Sequence, residues 1–267
     1  MKFRELLENR WKESGSLLCV GLDPDQARIP IEYHPYEDGI VRFLKDVVDA
    51  TAPYAFAFQP QIAYFAAITA ECDLLATCEY IRETYPNIPL ILDAKRGDIG
   101  DTAKMYAREA FERYGAHAVT VNPYMGGDTI RPFLEYENGA AIVLCRTSNP
   151  GSGEFQSQLI DGKPLYQHVA YRAATEWSQY GDVSLVVGAT YPEELAEVRG
   201  LVGDMPLLVP GVGAQGGDPV TVVKNGATAN GTGLIVNSSR AILYADGGIA
   251  GAARIARETC DVLNSAR

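Results

Sequence analysis

A chain of 267 residues, 47% of them apolar, can bury about three quarters of its unfolded surface and needs no staples to hold a core. A net charge of −11 excludes the basic footprint of a nucleic-acid binder. No run approaches the roughly 20 apolar residues of a membrane-spanning helix, so no membrane partner is expected. Residues 1–11 are charged and have no apolar stretch ending in a small-residue cleavage site, so they read as an amphipathic helix and not as a signal peptide. Five widely spaced cysteines without a C-x-x-C pair fit reduced, buried thiols in a cytoplasmic protein. The three histidines, His34, His117 and His168, lack ligand-like spacing, and no metal site is expected from them.

In chain order, short apolar runs alternate with helical patterns. The run 17–22 precedes Ile40, Leu44, Val47 and Val48, which repeat at helical spacing. The run 54–58 leads into 61–85, which reads as two helices or one long one. Runs 89–93 and 118–121 flank the helical set Tyr106, Ala110 and Tyr114. The run 141–145 is followed by a polar stretch, 149–163, rich in Gly, Ser and Gln, which is a lid or a plain surface loop. Leu165, Val169 and Ala173 mark another helix, and runs 184–187, 207–209 and 234–236 complete the series. Strands this continuously apolar are covered on both faces, as in parallel sheets. Eight such units predict an α/β fold, a single-domain (β/α)8 TIM barrel over residues 1–267. An open doubly wound sheet is the alternative, but no Gly-x-Gly-x-x-Gly follows the first strand.

The most informative stretch is 91–102. Asp93 and Lys95 end the third apolar run, and residues two apart on a strand share a face. Asp98 follows just beyond. A barrel keeps its chemistry at the carboxyl ends of its strands. Asp23 ends the first run, Gln59 the second; Ser148 follows the fifth, Gln215 the seventh and Arg240 the eighth. Taken alone, Asp93 and Lys95 could be a structural ion pair capping a strand; the convergence of five other strand ends argues for a site. The glycine-rich stretch Pro210-Gly211-Val212-Gly213 through Gly217 lets backbone amides approach an anion, and Arg240 offers a bidentate fork to phosphate. The loops after strands 7 and 8 are the usual barrel phosphate site, although turn glycines and a surface arginine would read the same way.

The spacing Asp-x-Lys-x-x-Asp-Ile-x-x-Thr at Asp93, Lys95, Asp98, Ile99 and Thr102 resembles the signature of the orotidine 5′-monophosphate decarboxylase family. Leu18-Cys19-Val20-Gly21-Leu22-Asp23-Pro24, Arg146-Thr147-Ser148-Asn149-Pro150-Gly151, the segment from Pro210 to Asp218, and Ser239-Arg240 resemble it in the same order. Asn122-Pro123-Tyr124 and Thr147-Ser148-Asn149-Pro150 look like its longer bacterial branch. The resemblance implies decarboxylation of orotidine 5′-monophosphate to uridine 5′-monophosphate, the last step of de novo pyrimidine nucleotide synthesis, with no cofactor. It implies Lys95 as proton donor to C6 and Asp93 beside the leaving carboxylate. Asp98 and Thr102 are expected to reach into a partner's site in an obligate homodimer. Ser148 is expected on the pyrimidine amide edge, Asp23 on the ribose, and Gln215 between phosphate and base.

One departure stands out. Members of that family usually carry lysine where this chain has Gln59. Glutamine can hydrogen-bond a ribose hydroxyl but supplies no charge, so the neighbouring Asp93 and Asp23 lose a counter-ion and are expected to titrate higher through like-charge repulsion. Activity is expected to survive, because Lys95, Asp93 and Asp98 remain. Two rivals stay open: a metal-dependent sugar-phosphate decarboxylase or synthase of the same barrel group, and a nucleotide binder without turnover.

Overall fold

Every one of the eight apolar runs falls on a strand of one parallel sheet. In a computed structural model, which describes residues 1–212 and 216–267, these are β1 (Leu18–Leu22), β2 (Ala57–Pro60), β3 (Ile91–Arg96), β4 (Ala118–Val121), β5 (Ala140–Arg146), β6 (Asp182–Val187), β7 (Leu207–Val209) and β8 (Leu234–Ser238). Their order is β2-β1-β8-β7-β6-β5-β4-β3. The two end strands meet through parallel bridges, Phe58 to Leu90 and Gln61 to Asp93, and Phe58 N donates to Pro89 O at 2.9 Å. The sheet therefore comes round on itself as a (β/α)8 barrel, which removes its edges. Residues of β1, β4, β7 and most of β8 are fully buried, as strands covered on both faces must be.

The expected second strand began three residues early. The Ala52 and Ala55 amides still donate to Val48 and Thr51 carbonyls, so the chain is turning out of helix Gly39–Thr51 when its apolar run begins. Residues 61–85 form two helices, Ile62–Ala66 and Glu71–Thr84, separated at Thr69, whose φ of 59° cannot continue a right-handed helix. The amino-terminal helix Phe3–Ser14 closes the amino end of the barrel. Its Trp11 stacks on Phe56 with ring centroids 5.2 Å apart and donates to Leu234 O at 3.2 Å.

The stretch 149–163 is more ordered than a plain loop. It holds a 3₁₀ turn Pro150–Ser152, a helical turn Gly153–Gln156 and a small hairpin pairing Leu159–Ile160 with Lys163–Pro164. Cys19, Cys78, Cys145 and Cys260 are buried free thiols, whereas Cys72 is exposed, against the expectation that all would be covered. It lies on an outer position of helix Glu71–Thr84, whose inner face is Leu74, Thr77, Cys78 and Ile81. Burial pushes the Cys78 and Cys145 thiols up to about 12. Among the described residues no helix is long and apolar enough to cross a membrane.

Candidate active site

The carboxyl ends of the strands enclose a cleft of about 470 Å³, within the usual range for small-molecule sites. Asp23, Asp93, Lys95, Ser148 and Arg240 all line it, together with Asn237 and Gly211. Lys95 Nζ donates to both Asp93 oxygens, at 2.7 and 2.8 Å. The Asp93 carboxylate also accepts from Gln61 Nε2 at 2.8 Å and from Thr120 Oγ1 at 2.7 Å. Its side chain is 15% exposed and that of Lys95 48%, so the carboxylate is fixed from below while the ammonium faces the cleft.

Simple alternation does not bring the pair together. β3 pairs with β4 at Leu92–Val119 and next at Arg96–Val121, so the strand bulges between, and Lys95 takes a φ of 46°. A non-glycine residue in that region is costly and marks a constrained position. Gln61 and Thr120 were not singled out from the sequence. Thr120 had a readable signal, as the lone polar side chain in the buried run Ala118–Val121. Gln61 had a weaker one, its place just past the end of β2.

Asp23 follows β1, where Gly21 makes room: a Cβ on Gly21 would lie 2.6 Å from Ser239 Cβ. Its carboxyl is pushed up to about 6. Burial is the main cause, Asp93 adds repulsion, and Ser239, Lys95 and Arg240 pull the other way. The rise was expected, but from like-charge repulsion; desolvation outweighs it.

Gln59 is buried and is not among the described side chains lining the cleft. Its Oε1 accepts from Asn237 Nδ2 at 2.8 Å, and Cys19 Sγ lies 3.6 Å away. Gln59 thus makes its bond inside the barrel, and Asn237 is the member of that pair that reaches the cleft.

Ser148 lies at the rim, close against Gly188, where an added Cβ would come within 2.8 Å of Ser148 Cα. Arg146 is buried, ion-paired to Glu194, bonded to Ser152 and stacked on Tyr191 at 3.9 Å. Thr147 N donates to Gln156 Oε1 at 2.8 Å. These contacts tie the start of 149–163 to the cleft wall, which Asn149 and Gln156 also line. Arg240 is exposed on the opposite wall, beside Ser239 and Gly211, whose φ of 98° is glycine territory. Gln215 lies outside the described residues.

Asp98 and Thr102 are not brought into this cleft. Asp98 is half-buried and accepts from its neighbour Ile99 N at 2.8 Å; Thr102 is exposed on helix Gly100–Arg108. Ile99, Met105, Tyr124 and Met125 are exposed apolar side chains of the same loops and helix.

The molecule is a (β/α)8-barrel enzyme with its polar residues gathered at the carboxyl ends of the strands. Residues 16–255 match the family described as orotidine 5′-phosphate decarboxylase / HUMPS, and the chain belongs to that family. It is 59% identical over 267 residues to the orotidine 5′-phosphate decarboxylase of Janthinobacterium sp. (strain Marseille), covering 99% of this chain and 98% of that one. It is 56% identical to that of Bordetella petrii, with both chains fully covered. The OMP decarboxylase structure from Leishmania donovani superposes with a TM-score of 0.87 at 40% identity, covering 100% of this chain and 99% of that one. The UMP synthase structure from the same organism gives 0.89 at 39% identity; this chain spans 56% of that longer protein.

Proposed function

We propose that this chain is a carboxy-lyase that converts orotidine 5′-monophosphate to uridine 5′-monophosphate, closing de novo pyrimidine nucleotide synthesis, and that residues 1–267 act as one barrel domain. The observation that carries the reading is the Asp93–Lys95 pair, held at 2.7 and 2.8 Å on the floor of a nucleotide-sized cleft. The substrate carboxylate stands beside Asp93. Two such charges about 4 Å apart repel by about 4 kcal/mol at an effective dielectric of 20. The bond from C6 to the carboxylate breaks, carbon dioxide leaves neutral, and the electron pair stays on C6. Lys95 offsets that charge and passes a proton from Nζ to C6; the neutral amine recovers a proton from solvent. Fixed charges of this kind stabilise a carbanion without a metal or organic electron sink.

The phosphate is held on the wall where Arg240 and Gly211 line the cleft, and Gln215 takes the place between phosphate and base that the family resemblance assigns to it. Asp23 holds the ribose and Ser148 the pyrimidine edge, both of them lining the cleft. Asp98 and Thr102 serve the cleft of a second copy, which makes the protein a homodimer with shared sites. Buried free thiols favour a reducing, cytoplasmic setting.

The test is the loss of orotidine monophosphate absorbance on adding purified protein, with and without a chelator. Conversion to uridine monophosphate that ignores the chelator supports the reading. Turnover of a sugar phosphate only, abolished by chelation, would replace it with the metal-dependent barrel chemistry.

A further inference from the structure

One hydroxyl joins both halves of the Asp93–Lys95 pair. Thr120 is 1% exposed, and its Oγ1 accepts the amides of Ala94 and Lys95, each at 2.9 Å. It donates its own proton to Asp93 Oδ1 at 2.7 Å. A threonine hydroxyl has one donor and two acceptor sites, and all three are engaged. Both amides sit in the bulge of β3, where the register to β4 jumps from Leu92–Val119 to Arg96–Val121 and where Lys95 takes its φ of 46°. A left-handed lysine is held only by its surroundings. Without Oγ1, two backbone donors and a carboxylate oxygen lose a partner together.

We infer that Thr120 is a positioning residue for the reaction: it holds the bulge that aims Lys95 Nζ and clamps the Asp93 carboxylate against it. The inference rests on the roles of Asp93 and Lys95 given above. Thr120 is buried and does not line the cleft, so its effect should fall on turnover and leave substrate affinity alone.

The experiment uses the full chain and the variants Thr120→Val, Thr120→Ser and Thr120→Cys. Thr120→Val keeps shape without the hydroxyl. It should lower kcat about tenfold to a hundredfold, as small misplacements of reacting groups do, with KM within about threefold. Thr120→Ser should stay within about threefold of the parent in both constants, since it restores all three bonds. Hydrogen exchange read by mass spectrometry should show lost protection in the peptide containing Ala94 and Lys95 in Thr120→Val, unchanged in Thr120→Ser. A folded Thr120→Val with parental kcat overturns the inference, as does a Thr120→Ser as impaired as Thr120→Val, which would assign the effect to the methyl group. If Thr120→Val does not fold, Thr120→Cys decides: parental kcat there overturns the inference, and a clear loss with KM kept supports it. A parent that converts no orotidine monophosphate would sink the proposed activity, and the exchange data, which need no turnover, would still decide whether Thr120 holds the backbone of Lys95.

Discussion

Asn237 on β8 donates from Nδ2 to Gln59 Oε1 on β2 at 2.8 Å, reaching across β1, where Cys19 lies between them. The pair is neutral. It satisfies two amides inside the barrel and gives the carboxylates above it no positive charge from below. Asp23, pushed up to about 6 chiefly by burial, keeps Lys95 and Arg240 as the cations that pull it back. A cation at position 59 should therefore act on Asp23 first. In Gln59→Lys the acid limb of kcat/KM should move to lower pH by about one unit, the effect of an opposite charge placed nearby. The pH profiles of the two proteins check this; coincident acid limbs would mean that Asp23 does not sense position 59.

Asp23 also costs stability. Its folded value of about 6 lies above the ordinary 3.8, so the folded state holds this proton longer than the unfolded chain does. Its favourable contribution is complete below 3.8 and is lost as the pH rises through 6. A difference of that size corresponds to about 3 kcal/mol carried at neutral pH. Asp23→Asn should remove most of it, raising stability to urea at pH 7 by about 1–3 kcal/mol while activity falls, the usual trade at a functional carboxylate. The gain should nearly vanish at pH 4, where the carboxyl is protonated in the folded state. A variant no more stable at pH 7 would show that the site does not strain Asp23.

Arg146 belongs to a motif that reads as part of the substrate site, yet its guanidinium is 4% exposed and engaged with Glu194, Ser152 and Tyr191. Its role is to fasten 149–163 to the barrel. Truncating one member of a buried ion pair strands the other, at about 3–5 kcal/mol. Arg146→Met should lose about that much in urea unfolding and should also raise KM, because Ser148, Asn149 and Gln156 line the cleft through the anchored segment. Unchanged stability would mean that Glu194 finds water when its partner leaves.

The barrel and most of its rim were legible because burial on both faces leaves an unbroken apolar run, and the carboxyl end of each run then marks a site position. Asp23, Asp93, Lys95, Ser148 and Arg240 follow from that rule alone. What escaped it was set by tertiary geometry. The bulge in β3 has no local signature, so the alternation that paired Asp93 with Lys95 gave the right neighbours for an incomplete reason. The π-helical turn Glu109–Arg113, which follows helix Gly100–Arg108, is hidden in a pattern that reads as one continuous helix. Gln59 and Gln61 straddle Pro60, and only the register of β2 decides that the first turns inward to Asn237 and the second to Asp93.

The last question is what Asp98 and Thr102 serve. Neither lines the cleft of its own chain, Asp98 has its Oδ1 engaged with the adjacent Ile99 amide, and the neighbouring Ile99, Met105, Tyr124 and Met125 present apolar surface to solvent. A two-fold contact through this face would carry each Asp98 toward the other copy's cleft, so each site would be built from both chains. Lys95→Ala and Asp98→Ala should each be inactive as homodimers. After subunit exchange at equal concentration, half of the dimers are mixed and each has one site with both residues intact. Activity should therefore recover to about a quarter of the parent's, the figure that random pairing of two-fold dimers gives. Recovery should follow the rate of exchange, as tracked by differently tagged subunits. If exchange is complete and no activity returns, Asp98 acts within its own chain, and the shared-site reading fails while the Asp93–Lys95 pair stands.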